Sequence, residues 1–309
     1  MGAKTVNKLV VPGATLHYEV AGAGPVLLLI AGGAADAGVF SGMVGQLAAE
    51  YTVATYDPRG NSRSRYDGDA TDDAVAQAAA DALAVLDAAT RLDAVTGPDA
   101  VTRPDAVTGA DALGSEVVAA EVEPAYVFGT GTGAITGLEL IRRHPDRVRM
   151  LVAHEPPCTE VLPDAEDVRA FFADVYETYR TDGLTAADVV YTMGTGLDDE
   201  AMPPMEDLLP EYRELAERMQ ANAAVFYEYK LLPYTRYVPD LDALKRFSDR
   251  VVPAAGLESY GHLPGRPVEV IAEHIGWPVV MFPGGHGGYA SHPAAFATHL
   301  AHLLKTDTL

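Results

Sequence analysis

Two segments of the chain carry residues whose types and spacing could support nucleophilic or acid/base chemistry. The first is the turn Gly-Thr-Gly-Thr-Gly at 129–133, which follows a short apolar run and precedes a helical pattern. A strand, a turn and a helix in this order fit the pattern G-x-S-x-G, whose central serine is a nucleophile. Gly131 stands at the serine position, so no covalent ester can form there.

The second segment is Phe-Pro-Gly-Gly-His-Gly-Gly at 282–288. Glycines on both sides of His286 favour an exposed ring at a turn, and an imidazole there is suited to general acid/base catalysis. Thr130 and Thr132 are weaker candidates for a replacement nucleophile. A shift of one residue along a tight turn swings the side chain away from His286, and turn hydrogen bonding is the common role of threonine at such positions.

The same turn also satisfies the dinucleotide-binding pattern G-x-G-x-x-A at 129–134, with Glu155 placed after the next strand as the acid that would bind a ribose. That pattern usually lies in the first strand-helix-strand unit of its domain. Here three or four predicted strands precede it, so nucleotide binding is kept as a lesser alternative.

Short runs rich in Val, Leu and Ile alternate with helical patterns, which is typical of an α/β fold with a mostly parallel sheet and helices on both faces. Residues 8–11 and 16–20 predict an antiparallel hairpin at the edge of this sheet. The other predicted strands are 25–30, 51–56, 125–128, 150–154, 251–255 and 278–282, and the predicted helices include 74–88, 135–143 and 294–305.

Two segments interrupt the alternation. Residues 92–114 form an imperfect six-residue repeat, and because so few turns of a β-helix cannot bury a continuous core, we expect an inserted loop. Residues 157–249 carry apolar side chains spaced three and four apart from Leu208 to Phe226, which predicts a long amphipathic helix in a helical cap. Eight tyrosines between 176 and 237 would suit an aromatic-lined pocket.

The composition argues against several classes of function. A net charge of −22 repels phosphate backbones and anionic lipids, so neither nucleic acid nor a membrane is an expected partner. No run of roughly 18 apolar residues predicts a membrane span, and the lack of an apolar leader favours a cytoplasmic location. Cys158 is the only cysteine, so no intrachain disulfide can form and no partner thiols exist for a zinc or iron-sulfur site. We expect neither a metal nor a cofactor.

Four segments, in order along the chain, resemble the α/β-hydrolase superfamily, whose fold is shared by esterases, lipases and epoxide hydrolases. Residues 28–34 are similar to its oxyanion loop and residues 56–64 to its D-x-R-G-x-G-x-S loop. The glycine-rich turn with His-Pro-Asp-Arg-Val at 144–148 resembles the nucleophile elbow and its sequel, and residues 282–288 resemble the histidine loop. The resemblance implies an α/β-hydrolase core at 1–156 and 250–309 and a helical cap at 157–249.

The resemblance also implies roles for single residues. His286 takes the place of the general base, and Glu258, just after the strand at 251–255, is the candidate acid that orients it. Asp57 and Glu155 are the alternatives for that acid.

Backbone donors of the oxyanion hole do not depend on the missing serine. In this family they would be the N–H of Thr132 and that of Gly33 or Ala34.

Because Gly131 removes the covalent route but leaves a base and an anion-binding loop, we expect an enzyme that uses His286 for acid/base chemistry. Elimination, cyclisation, isomerisation and direct attack by water are the candidate reactions, on a small apolar carbonyl compound. The alternative is a catalytically silent relative that binds a ligand or a protein. The sequence does not indicate an oligomeric state.

Overall fold

The computed structural model describes residues 4–68, 75–96, 123–197 and 210–306, which form a nine-stranded sheet with helices on both faces. The strands are β1 (Thr5–Val11), β2 (Ala14–Ala21), β3 (Val26–Ile30), β4 (Thr52–Tyr56), β5 (Arg65–Tyr66), β6 (Ala125–Thr130), β7 (Val148–His154), β8 (Val251–Gly256) and β9 (Val280–Phe282).

The strand order is β1-β2-β4-β3-β6-β7-β8-β9, with β5 paired to β2. β2 pairs antiparallel with β1, β4 and β5, whereas every pair from β4 through β9 is parallel. The predicted α/β class, with its edge hairpin and mostly parallel sheet, is confirmed. The carboxyl ends of β3, β6, β7 and β8 therefore meet at one edge, which is where open α/β sheets place their ligands.

The helices are α1 (Ser41–Leu47), α2 (Val75–Thr96), α3 (Thr132–Arg143), α4 (Ala165–Asp182), α5 (Leu184–Thr195), α6 (Pro210–Val225), α7 (Leu231–Thr235), α8 (Leu241–Lys245), α9 (Arg266–Ile275), α10 (Gly288–Ser291) and α11 (Pro293–Lys305). Short 3-10 turns lie at Ala37–Phe40 and Thr159–Val161, and a π-helical turn lies at Phe226–Lys230.

The central strand β3 shows why the sequence forms this sheet. All five of its residues are apolar and buried, as expected for a strand covered on both faces. Leu28 and Ile30 join the apolar cluster under α2, α3 and α9, while Leu27 and Leu29 join the cluster under α1 and α11. Full burial of such a side chain contributes about 1.5–3 kcal/mol to the stability of the folded state, so β3 stabilises the clusters on both faces of the sheet.

The end of helix α2 differs from the predicted start of the inserted loop at residue 92. The helix continues to Thr96 and so includes the first residues of the repeat that was expected to be a loop from residue 92. The physical reason is that Leu92 continues the apolar stripe of Val85 and Ala89 and packs against the same cluster. The rest of the repeat lies outside the described residues.

Helices α4 to α7, residues 165–235 without the undescribed part, form what we call the helical insertion. They enclose an apolar cluster of their own, which includes Phe172, Val175, Phe226 and Leu231. The predicted long helix corresponds to α6, which continues through the π-helical turn into α7. The division into core and cap at residues 157 and 249 stays a prediction. None of the described helices is long and apolar enough to cross a bilayer.

Candidate active site

Gly131 lies between the end of β6 and the start of α3. Its φ of 54° and ψ of −124° belong to a region that costs a residue with a side chain roughly 1–3 kcal/mol, and glycine avoids that cost. A β-carbon built at this position would lie 3.4 Å from Nε2 of His286, an ordinary van der Waals distance. The structure thus brings together the two residues singled out from the sequence, with the histidine facing the point where a serine would project.

Backbone packing accounts for the other glycines of the turn. A β-carbon on Gly133 would lie 2.3 Å from the carbonyl oxygen of Ile30, and one on Gly129 would lie 2.4 Å from the carbonyl oxygen of Gly133. Neither residue could carry a side chain where α3 approaches β3. These contacts explain the glycines at 129 and 133 by backbone packing, with no need for a bound dinucleotide.

Glu155 holds His286 in place. Its Oε2 lies 2.6 Å from Nδ1 of His286, and its Oε1 accepts hydrogen bonds from the N–H of Gly256 at 2.9 Å and the hydroxyl of Ser259 at 2.5 Å. The carboxylate is fully buried and directly follows β7, with a φ of 48° that is uncommon outside glycine. With a carboxylate at Nδ1, that nitrogen carries the proton and Nε2 is left to accept one.

The charge state of this pair follows from its surroundings. Burial alone would raise the pKa of Glu155, but its hydrogen bond to His286 and its attraction to the charged form of that ring outweigh burial and lower the pKa to about 2. Behind the pair, burial and the nearby His286 lower the pKa of the fully buried His154 to about 4. His154 is therefore a neutral packing residue at pH 7, and Glu155 is ionised.

The acid that contacts His286 is Glu155, and this corrects the assignment of Glu258. The Glu258 side chain is exposed, while Asp57, the other alternative, is buried in an ion pair with Arg63. β7 and β8 are adjacent and parallel, so acids that follow either strand reach the same sheet edge. The last residue of β8, Gly256, and Ser259 in the loop after it instead donate hydrogen bonds to Glu155. Because Glu155 is engaged with His286, the dinucleotide alternative also loses its ribose-binding acid.

The two threonines of the turn have other partners than His286. The Thr130 hydroxyl lies 3.3 Å from Nδ1 of His154, and the Thr132 hydroxyl accepts a 2.8 Å hydrogen bond from the N–H of Gly33. Of the predicted oxyanion donors, the Gly33 N–H is therefore occupied by a side chain. The N–H of Thr132 is at the first residue of α3, where a helix leaves its N–H groups without intrahelical partners. Ala34 packs against the helical insertion.

A cavity of about 160 Å³ lies over Gly131 and His286. A comparable engineered cavity of about 150 Å³ admits benzene. No Asp, Glu, Lys or Arg is found among the described residues that line it, and Tyr191, whose pKa burial raises to about 12, is neutral. The lining comes from the sheet edge and the helical insertion: Gly32, Gly33, Ala35, Thr130, Gly131, Thr132, Pro157, Thr159, Phe172, Tyr191, Thr195, Met219, Phe226, Leu263, Pro264, His286 and Tyr289.

Polar side chains on one face of α6 and the π-helical turn fix the helical insertion over the cavity. Arg218 contacts Asp36, Asn222 donates to the carbonyl of Ala34, and Lys230 donates to the carbonyl of Arg59. Lys230 is buried and donates a second hydrogen bond, at 2.8 Å, to Oδ1 of Asn61. These anchors could not be predicted from the sequence, because lysine and arginine on an amphipathic helix normally face solvent.

Comparisons with known proteins agree with this fold. The chain is 31% identical, over 311 aligned positions and 98% of both proteins, to the uncharacterized hydrolase YraK of Bacillus subtilis. It is 27% identical, over 293 positions and 93% of both, to the zearalenone hydrolase of Bionectria ochroleuca. The enol-lactonase from Burkholderia xenovorans LB400 superposes with a TM-score of 0.64 at 17% identity, covering 97% of this chain and 100% of the enol-lactonase. No sequence-family profile matches the chain.

The fold is that of the α/β-hydrolases, with the elbow turn at the end of β6. The chain belongs to the α/β-hydrolase superfamily. Its curated relatives over the full length are named hydrolases. No cluster of His, Cys, Asp and Glu in the described part of the chain could hold a metal ion.

Proposed function

We propose that the protein is an enzyme that uses His286 and Glu155 as an acid/base pair, with no covalent enzyme intermediate. One observation carries the proposal. The buried Glu155 carboxylate binds Nδ1 of His286 at 2.6 Å, and Nε2 of the same ring faces the point above Gly131 where a serine would project. A histidine oriented in this way is suited to act as a general base toward a molecule bound above Gly131.

A water molecule is the group that best fits beside His286. Water occupies about 30 Å³, close to the room that a serine hydroxymethyl group would need. With Nε2 as general base, such a water attacks a carbonyl carbon, and the imidazolium then returns the proton to the leaving oxygen. Among the candidate reactions, the names of the two full-length relatives favour this hydrolysis over elimination, cyclisation or isomerisation.

The cavity restricts the substrate. Its described lining lacks formal charges, so a carboxylate or an ammonium group would lose its hydration without gaining an ionic partner. A volume of about 160 Å³ encloses roughly one ring or a short chain. We therefore propose a small uncharged ester or lactone. General-base catalysis contributes about 10²–10⁴-fold, so the substrate must have a reactive carbonyl group.

The test compares the native protein with three variants on uncharged activated esters and small lactones. His286→Ala and Glu155→Gln are expected to lower turnover at least about 100-fold, because general-base catalysis of that size is lost. Glu258→Gln, a matched change at an exposed carboxylate, should leave turnover unchanged. Native-like turnover by His286→Ala contradicts the proposal. No turnover by the native protein of any of these compounds, together with ligand binding, would favour a binding role.

A further inference from the structure

We propose that the side-chain hydroxyl of Thr132 is the hydrogen-bond donor that meets the substrate's carbonyl oxygen, in place of the N–H of Gly33. The inference rests on the proposed function only in placing a carbonyl group above Gly131. It assigns a catalytic role to a side chain that the family resemblance uses only for its backbone.

The contact between the loop after β3 and the start of α3 carries the inference. The N–H of Gly33 donates to Oγ1 of Thr132 at 2.8 Å. A hydroxyl has one proton to donate besides its lone pairs, and no described residue accepts the Thr132 proton. Thr132 and Gly33 both line the cavity, and Thr132 is partly exposed. The proton of the hydroxyl is therefore available to a group bound in the cavity.

The arrangement replaces one donor by another of greater reach. An N–H group that donates to a hydroxyl oxygen polarises the O–H bond and makes it a stronger donor. The backbone N–H of Thr132 lies at the N-terminus of α3, where the helix also favours negative charge. A single residue thus supplies both an N–H and an O–H to the oxygen on which negative charge develops.

Oγ1 of Thr132 also keeps a substrate oxygen away from the N–H of Gly33. It lies at hydrogen-bond distance along the N–H of Gly33, so a substrate oxygen could reach that N–H only by displacing the hydroxyl. This makes the effect of each substitution at 132 different. Thr132→Ser keeps the hydroxyl, Thr132→Val puts a methyl group where Oγ1 lies and still covers Gly33, and Thr132→Ala uncovers the Gly33 N–H.

The probe is 4-nitrophenol, an uncharged ring of suitable size whose ionised form is an oxyanion with its own absorbance. Its ionisation constant in the complex reports the donors at the oxygen without any turnover. We expect the pKa of bound 4-nitrophenol to be about one unit higher in Thr132→Val than in the native protein, since a hydrogen bond to a charged group is lost. Thr132→Ser should match the native value, and Thr132→Ala should fall below Thr132→Val.

A purely structural role for Thr132 would instead make alanine the most disruptive change, because it removes the most packing. The proposal is overturned if Thr132→Val gives the native value, if Thr132→Ala gives the highest pKa, or if the native protein does not bind 4-nitrophenol. Thermal unfolding of each variant establishes that it is folded. Loss of turnover in His286→Ala with no change across the Thr132 series would leave the proposed function in place and remove only this inference.

Discussion

The carboxylate of Glu155 lies 2.6 Å from Nδ1 of His286, although 131 positions separate the two residues in the chain. The pair joins the end of β7 to the loop after β9, and the last residue of β8 and Ser259 beyond it supply two further donors to the same carboxylate. Three neighbouring parallel strands are thereby tied together at the edge where the cavity lies. The elbow turn, the acid and the histidine follow one another along the chain in the order that α/β-hydrolases use, although Gly131 offers no nucleophile.

The stability of this pair predicts a pH dependence. The pKa of Glu155 is lowered from 4.5 to about 2 in the folded protein, so its contribution is complete above pH 4.5 and is lost as the pH falls through about 2. Glu155→Gln should lower the free energy of unfolding at pH 7 by on the order of 3 kcal/mol, with a smaller deficit at pH 3. Urea unfolding at both pH values measures this. Glu258→Gln is the control, and an equal loss in both variants would contradict the prediction.

The histidine and the elbow could be predicted from the sequence because each is encoded locally. Glycines around Gly131 and His286 specify tight turns at strand ends, and the strand order brings both turns to one edge. The orienting acid could not be predicted in the same way. Glu155 and Glu258 follow adjacent strands, and the choice between them depends on loop conformations that no local pattern encodes.

Contacts between distant loops were also beyond prediction. The sequence predicts a role for the backbone N–H of Thr132 but not for its hydroxyl, which accepts a hydrogen bond from the N–H of Gly33, 99 residues away in the chain, because the loop after β3 meets the start of α3. Lys230 is similar, since its charge predicts exposure, whereas carbonyl and amide oxygens satisfy its ammonium group inside the protein.

The buried hydrogen bonds of Lys230 are expected to stabilise the helical insertion. Its Nζ donates to the carbonyl of Arg59 at 2.9 Å and to Oδ1 of Asn61 at 2.8 Å, and its side chain is 2% exposed. Lys230→Met should lower the free energy of unfolding by about 2–4 kcal/mol, because buried acceptors lose their donor. Lys245→Met, on the exposed surface of α8, should change it by less than about 0.5 kcal/mol. Equal unfolding curves for the two variants would mean that Lys230 is not an anchor.

Hydrogen exchange gives a second measure of the same anchor. Amides of α6 and the π-helical turn should exchange faster in Lys230→Met than in Lys245→Met, while those of β3 should keep their protection, since local opening is confined to the insertion.

The burial of His154 is expected to make the stability of the protein depend on pH in a second range, at higher pH than that of Glu155. Burial lowers its pKa from 6.5 to about 4, so the stability due to the neutral ring is complete above pH 6.5 and is lost as the pH falls through about 4. His154→Gln should remove a component on the order of 3 kcal/mol from the change in unfolding free energy between pH 7 and pH 4. His302→Ala, at an exposed position, should keep the full change. The same dependence in all three proteins would show that His154 does not titrate as inferred.

Gly131→Ser is expected to restore a covalent hydrolase. The new β-carbon lies at van der Waals distance from the His286 ring, and the hydroxyl would project toward Nε2. The variant should hydrolyse 4-nitrophenyl acetate with a burst of one nitrophenolate per protein, and it should be less stable by roughly 1–3 kcal/mol because φ at this position is positive. Gly131→Ala carries the same backbone strain without a hydroxyl, so it should share the loss of stability but show no burst. Adding His286→Ala to Gly131→Ser should abolish the burst, since the serine then has no base. A burst that survives without His286, or one that also occurs in Gly131→Ala, would show that the ring and the elbow do not work together.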